Sequence, residues 1–71
     1  MIKVSSTSGG KKYPDAVRVY RDGVMVGEVF PGQRNPLKYL KKTPRSKYRK
    51  QLDAQLIANG LTEAEIAEVY A

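Results

Sequence analysis

The sequence contains neither cysteine nor histidine among its 71 residues. Disulfides and thiolate metal sites are therefore excluded, and so are the usual zinc sites, which draw on these two residue types. No apolar run approaches the roughly 20 residues that a membrane-spanning helix needs, and the N-terminus lacks the apolar segment of a secretory signal. We expect a soluble, cytoplasmic protein with no metal, no cofactor, no small-molecule substrate and no membrane partner.

The same absences argue against catalysis. Without histidine or cysteine, a nucleophile or a general base would have to be a carboxylate, a lysine or a hydroxyl. Glu65 and Glu68 share the face of a predicted helix but are expected to be solvated, and Asp22 is accounted for by a turn. We therefore predict that the protein is not an enzyme.

The length of the chain predicts one small domain, residues 1–71. Such a domain buries only about 60% of the surface that its unfolded chain exposes. Because no disulfide or metal holds it together, its stability has to come from a compact apolar core. Since the chain begins at Met1 and carries no tag or pro-segment, we expect a complete small gene product.

The net charge of +6 is distributed unevenly along the chain. Residues 1–33 carry +2, residues 34–50 carry +8 without a single acidic residue, and residues 51–71 carry −4. Like charges that lie so close together repel one another and cost folding free energy. This segregation therefore indicates a surface for a negatively charged partner.

The first half of the chain predicts a small antiparallel sheet. Valines alternate with other residues on both sides of Asp22-Gly23, and Asp-Gly between two such runs is a strong signal for a tight hairpin. Ile2 and Val4 alternate with polar residues and predict a third strand, which a mobile polar loop over residues 5–12 follows. The register, which the sequence leaves open, decides whether one face carries all four valines of the hairpin, Val17, Val19, Val24 and Val26.

Two pairs of a capping residue and a proline predict where helices begin in the second half. Asn35-Pro36 predicts a short helical turn, and Thr43-Pro44 predicts a longer helix that ends near Ala58. The longer helix carries an apolar stripe at every fourth position, which is expected to lie in the core: Tyr48, Leu52 and Leu56.

The end of the chain has the most complete set of local signals. Asn59-Gly60 predicts a left-handed helix stop, and Thr62 and Glu65 have the spacing of a capping box. A last helix is therefore predicted over about residues 63–70. Together these patterns predict an α+β fold, in which a β-hairpin and an N-terminal strand pack against two or three C-terminal helices.

Residues 34–50 form the candidate binding segment. Its cations can neutralise phosphates or face an acidic protein, and a tyrosine ring between them can stack on a base. Because Tyr48 is assigned to the core, Tyr39 is the freer candidate for stacking. The predicted contacts to nucleic acid or to an acidic partner are Arg34, Lys38, Tyr39, Lys41, Lys42, Arg45, Lys47, Arg49 and Lys50.

Two other modes of binding follow from the predicted elements. The helix, turn and helix over residues 52–70 are not expected to read DNA, because the second helix would bring three glutamates toward the phosphates. A protein partner could instead add a strand to an edge of the predicted sheet.

In its small size, strong basicity, lack of cysteine and histidine, and short complete reading frame, the chain resembles the small phage-encoded regulators of host RNA polymerase. The likeness covers the general character of the whole chain and no motif, so it assigns no role to individual residues. It implies an antitermination or inhibitory factor that acts on a transcription complex in the bacterial host cytoplasm, with RNA polymerase, nucleic acid or both as partners. Two alternatives stay open: a general DNA- or RNA-binding accessory protein, and an inhibitor or adaptor directed at protein alone.

Overall fold

The computed structural model describes residues 1–7 and 15–71. Three strands are followed by three helices in these residues: β1 (Ile2–Thr7), β2 (Ala16–Arg21), β3 (Val24–Val29), α1 (Pro36–Lys42), α2 (Lys47–Ala58) and α3 (Glu63–Val69). The strands form one antiparallel sheet in the order β1-β2-β3. The predicted α+β fold is therefore confirmed.

Strand β1 is longer than predicted. Residues 5–7, which were predicted to begin a loop, pair with Arg18, Val17 and Ala16 of β2. Serine has little preference for strands by itself, and it is the pairing with a neighbouring strand that holds it in one. The remainder of the predicted loop, residues 8–12, lies outside the described residues.

The hairpin between β2 and β3 has the predicted tight turn. Asp22 and Gly23 both have positive φ, at 52° and 83°, as a type I′ turn requires. The register shifts between Val19 and Tyr20, which pair with Gly27 and Met25, so that Val26 is an extra residue of β3. As a result Val26 is buried whereas Val24 is 64% exposed, and the four valines of the hairpin do not share one face.

All three helices contribute to a single core on one face of the sheet. The buried side chains of β2 and β3 meet leucines from α1 and α2, and α3 closes the core with a valine. The members of this cluster are Val17, Val19, Val26, Val29, Leu40, Leu52, Leu56, Leu61 and Val69. The predicted core stripe of α2 is confirmed for Leu52 and Leu56, while Tyr48 is half-buried at its margin.

Gly27 lets helix α2 approach strand β3 closely. A Cβ atom at this position would lie 2.8 Å from Leu52 Cδ1 and 2.9 Å from Leu56 Cδ2. Both leucines are fully buried, so neither has free space into which it could move. The absence of a side chain at Gly27 therefore sets the distance between the sheet and its longest helix.

The helix starts differ from the prediction in two places. Asn35 is the N-cap of α1, but it has a φ of 54° and its side chain makes no capping hydrogen bond. Helix α2 begins at Lys47 with Ser46 as its N-cap, not at Thr43-Pro44. The Thr43 hydroxyl donates to the Tyr39 carbonyl oxygen at 2.7 Å and so belongs to the end of α1, while the Ser46 hydroxyl accepts the capping hydrogen bond of α2.

The junction between α2 and α3 agrees with the prediction. Gly60 has a φ of 84°, and the Leu61 N–H donates to the Leu56 carbonyl oxygen at 3.0 Å, as in a Schellman motif. In the capping box, the Thr62 N–H donates to Glu65 Oε1 at 3.0 Å, and the Glu65 N–H donates to Thr62 Oγ1 at 3.2 Å. The first of these bonds holds the pKa of the Glu65 carboxyl below its usual range.

The substitution Gly27→Ala tests the close approach. The added methyl group would overlap two buried leucines, and we expect the free energy of unfolding to fall by about 1–3 kcal/mol. Urea unfolding followed by circular dichroism measures the change. Leu52→Val removes part of the obstructing side chain, so the double variant should lose less stability than the two single losses combined. Strictly additive losses would show that the methyl group does not meet Leu52.

Candidate nucleic-acid interface

Seven of the nine predicted contact residues are exposed cations. We call them the basic surface: Arg34, Lys38, Lys41, Lys42, Arg45, Lys47 and Lys50. Arg34 lies just before α1, and the other six occupy α1, the turn that follows it and the first turn of α2, which are consecutive in the chain.

Helix α1 presents three of these lysines together. Lys38, Lys41 and Lys42 are three and four positions apart, and this spacing puts them on the same side of a helix. The opposite side carries Pro36 and Leu40, which are buried in the core. Burial of one side of α1 therefore directs the three lysines into solvent.

Helix α2 begins with cations at positions where acidic residues would stabilise the helix. Its first turn contains Lys47 and Lys50 and no acidic residue, although the N-terminal end of a helix carries partial positive charge. The Ser46 hydroxyl caps this end by accepting a hydrogen bond from the Arg49 N–H at 3.1 Å. The placement of these lysines is unfavourable for the free helix, and a bound anion would offset this cost.

The acidic residues that form ion pairs are bound elsewhere. Glu28 pairs with Arg18, Glu65 with Arg21 at 3.2 Å, and Asp22 with the N-terminal amine at 2.7 Å. Asp53 lies 3.7 Å from Arg49. Within residues 1–7 and 15–71, no aspartate or glutamate forms an ion pair with any of the seven cations of the basic surface, although Lys41 Nζ donates to an oxygen of Ala71. Their charge is thus available to an external partner.

Arg49 differs from the other predicted contact residues, because its side chain is only 18% exposed. Its guanidinium carbon lies 3.3 Å from the centre of the Tyr70 ring, and its Nη1 donates to the Leu40 carbonyl oxygen at 3.0 Å. Tyr70 in turn donates its hydroxyl hydrogen to Asp53 Oδ1 at 2.6 Å. Burial and the neighbouring Asp53 carboxylate raise the pKa of Tyr70 well above its usual range.

These contacts make Arg49 a link between the three helices. Leu40 is in α1, Arg49 and Asp53 are in α2, and Tyr70 follows α3 directly. The link holds the last turn of α1 against the first turn of α2, and so it brings the lysines of both helices next to each other. Arg49 therefore positions the basic surface and is not part of it.

The two tyrosines of residues 34–50 are less available for stacking on a base than fully exposed rings would be. Tyr39 and Tyr48 are both half-buried and pack against the core. Lys47 Nζ lies 5.1 Å from the centre of the Tyr48 ring, which it partly covers. The prediction of Tyr39 as the freer stacking candidate is therefore weakened, because its ring contributes to the core as Tyr48 does.

A groove of about 510 Å³ lies between the end of β1 and helix α1. Its lining residues are Ser6, Asn35, Leu37, Lys38 and Lys41. The Leu37 N–H donates to Ser6 Oγ at 3.4 Å, and Lys41 Nζ donates to the Ala71 carbonyl oxygen at 3.0 Å. Sequence analysis missed Ser6 and Asn35, because no local signal connects a serine in a strand with a helix about thirty positions further along.

The described part of the chain shows neither a metal-binding group nor a membrane-spanning helix. Among the described residues, no group of three acidic side chains is arranged to hold a metal ion. Of the helices in that part of the chain, none has the length and apolar character needed to cross a membrane. No protein-family model, curated protein or solved structure matches this chain.

Arg49→Ala and Lys50→Ala form a matched pair that separates positioning from contact. Arg49→Ala removes a charged hydrogen bond and the stacking on Tyr70, and we expect the free energy of unfolding to fall by about 2–4 kcal/mol. Lys50→Ala should change it by less than about 0.5 kcal/mol. Thermal unfolding of the two variants measures this difference, and equal stabilities would contradict the proposed link between the helices.

Proposed function

We propose that the protein is a non-enzymatic binding protein that holds the phosphate backbone of nucleic acid on its basic surface. The observation that supports this proposal is the set of seven exposed cations without an aspartate or glutamate partner in the described part of the chain. Each lysine or arginine that neutralises a phosphate releases a condensed counterion, and this release supplies most of the affinity in sequence-independent binding.

The arrangement favours contact with the backbone over reading of the bases. Sequence readout requires side chains that reach base edges in a groove, usually from a helix that lies in it. Helix α1 has only seven residues, and its exposed side carries three lysines, whose hydrogen-bond donors suit phosphate oxygens. The half-buried rings of Tyr39 and Tyr48 leave stacking a minor contribution. Charge is therefore the property that determines binding in this proposal.

A transcription complex is the setting that we propose for this interaction. The resemblance to small phage-encoded regulators of RNA polymerase supports it, and so does the separation of a basic middle segment from an acidic C-terminal one. A protein that lies across both nucleic acid and polymerase meets surfaces of different charge. The proposed role is that of a regulator or antitermination factor in the bacterial cytoplasm.

The dependence of affinity on salt tests the binding to nucleic acid. With about five phosphates contacted, the logarithm of the association constant for duplex DNA should fall with the logarithm of salt concentration at a slope near −4.5. Fluorescence anisotropy with a labelled duplex of random sequence, and with the corresponding RNA, measures this slope. No binding below about 100 µM protein at low salt would contradict the proposal.

Two variants of equal net charge make this test specific for the basic surface. Lys38→Gln, Lys41→Gln and Lys42→Gln together remove three positive charges, and the slope should become shallower by about 2–3. Lys3→Glu with Ala64→Glu changes the net charge by the same amount at exposed positions outside the basic surface. An equal loss of affinity in both would show that overall charge, not this surface, determines binding. Circular dichroism confirms that both remain folded.

Affinity capture from a bacterial lysate treated with nuclease tests the transcription setting. We expect RNA polymerase subunits to be recovered with the tagged protein, because a regulator of the complex also contacts protein. Recovery of no polymerase, together with salt-dependent binding to nucleic acid, would favour a general accessory protein. Recovery of a protein by a chain that fails to bind nucleic acid would favour the inhibitor or adaptor.

A further inference from the structure

The two outer edges of the sheet differ in how their backbone groups are bonded. On β3, the Glu28 N–H donates to Gln55 Oε1 at 2.9 Å, and Gln55 Nε2 donates to the Glu28 carbonyl oxygen at 3.0 Å. Asn59 Nδ2 donates to the Val26 carbonyl oxygen at 3.0 Å. Two amide side chains of α2 and its C-cap thus occupy the positions of a neighbouring strand, and they close this edge to any other strand.

Residues in an antiparallel pair of strands alternate between hydrogen-bonded and non-hydrogen-bonded pairs. This alternation identifies which backbone groups of β1 point outward. The Asp22 N–H donates to the Met1 carbonyl oxygen at 3.1 Å, so Met1 and Asp22 form a hydrogen-bonded pair. Such pairs occur at every second residue, and the residues between them, Ile2, Val4 and Ser6, direct their N–H and C=O groups away from β2.

The same alternation agrees with the hydrogen bonds observed at the other edge of the sheet, on β3. It predicts that Glu28, which pairs with Arg18, directs its N–H and C=O groups away from β2, and these groups are the ones that bond to Gln55. On β1, in contrast, no hydrogen bond of the described residues reaches the outward backbone groups of Ile2 or Val4. As far as residues 1–7 and 15–71 show, β1 is the open edge of the sheet.

The groove beside this edge determines which side chains would fit there. It begins at Ser6 of β1 and is bordered by Lys38 and Lys41 of α1. A strand added along β1 would turn every second side chain toward the helices, as β1 itself turns Ile2 and Val4 toward the core. If the side chains that reach the two lysines from such a strand were acidic, their attraction to the lysines would stabilise the added strand.

We propose that the β1 edge takes an extended acidic segment of a protein partner as a fourth strand. A peptide backbone matches the alternating donors and acceptors at this edge, which the phosphates of a nucleic acid do not. A second copy of this chain fits less well, because two such edges would bring Lys38 and Lys41 of both copies together in a protein of net charge +6. This interaction does not depend on the binding of nucleic acid.

Methylation of one outward amide tests the proposal. The 71-residue chain is short enough for chemical synthesis with N-methyl-valine at Val4, which removes the outward donor and leaves the side chain intact. N-methylation at Gln33, an exposed loop residue, is the matched control. The probe is a fluorescein-labelled octapeptide of alternating valine and glutamate, and its anisotropy reports binding.

We expect the unmodified chain and the Gln33 control to bind this peptide equally, and the Val4 variant to bind it roughly tenfold more weakly. An octapeptide of alternating valine and lysine should bind more weakly than the acidic peptide by a similar factor. Amide exchange should slow at Val4 and Ser6 on binding of the acidic peptide, whereas exchange at Glu28 stays constant. No binding at millimolar peptide, or equal binding by the Val4 variant, would overturn the proposal.

The remaining outcomes are also decisive. Unfolding of the Val4 variant would overturn the proposal, because it would show that this amide bonds to β2 and does not face outward. If methylation at Val4 weakened the binding of duplex DNA as well, the edge would belong to a nucleic-acid site and the proposal would fail. If it abolished a dimer seen by sedimentation while the acidic peptide did not bind, the occupant would be a second copy of the chain.

Discussion

The contact between helix α2 and Gly27 of strand β3 is the constraint on which the other features depend. Because Gly27 has no side chain, Leu52 and Leu56 lie directly on the strand, and the helix lies close enough for Gln55 and Asn59 to reach the backbone of β3. The same position fixes the first turn of α2, with Lys47 and Lys50, relative to the sheet. Core packing, closure of one sheet edge and placement of these cations thus follow from a single close approach.

Arg49 extends this arrangement to the other two helices. Its contacts with Leu40 and Tyr70 join α1 and the end of α3 to α2, although its charge suggested a role at the surface. A buried guanidinium is costly unless it is partnered. Here Nη1 donates to a carbonyl oxygen and the Tyr70 ring stacks on the guanidinium, while Nε has no hydrogen-bond partner and lies 3.7 Å from the Asp53 carboxylate. The protein therefore uses one cation of the segment to hold the other seven in place.

The elements that could be predicted from the sequence are those whose bonding partners lie a few residues apart. The turn at Asp22-Gly23 and the stop at Gly60 require positive φ locally, and the structure has it at each of them. The start of α2 differs from the prediction, because Thr43 and Ser46 can both cap a helix, and in the folded chain Thr43 is the C-cap of α1 while Ser46 accepts the capping hydrogen bond of α2.

The candidate site shows the same division between local and distant signals. Seven of the nine predicted residues are exposed as expected, since a run of cations without acids has few other ways to fold. The role of Arg49 required knowledge of Tyr70, which is distant in the sequence. The closed β3 edge likewise depends on a contact between Glu28 and Gln55, 27 positions apart, that no periodicity indicates.

The uncompensated charge on α1 and α2 also couples partner binding to folding. Seven cations on and beside these two helices repel one another in the free protein, and any anion that binds the folded state alone relieves this repulsion and stabilises the fold by mass action. Added salt then acts in two opposite directions, since it screens the repulsion within the free chain and weakens attraction to the partner. An anion bound beside the lysines at the start of α2 would thus contribute to the stability of the fold.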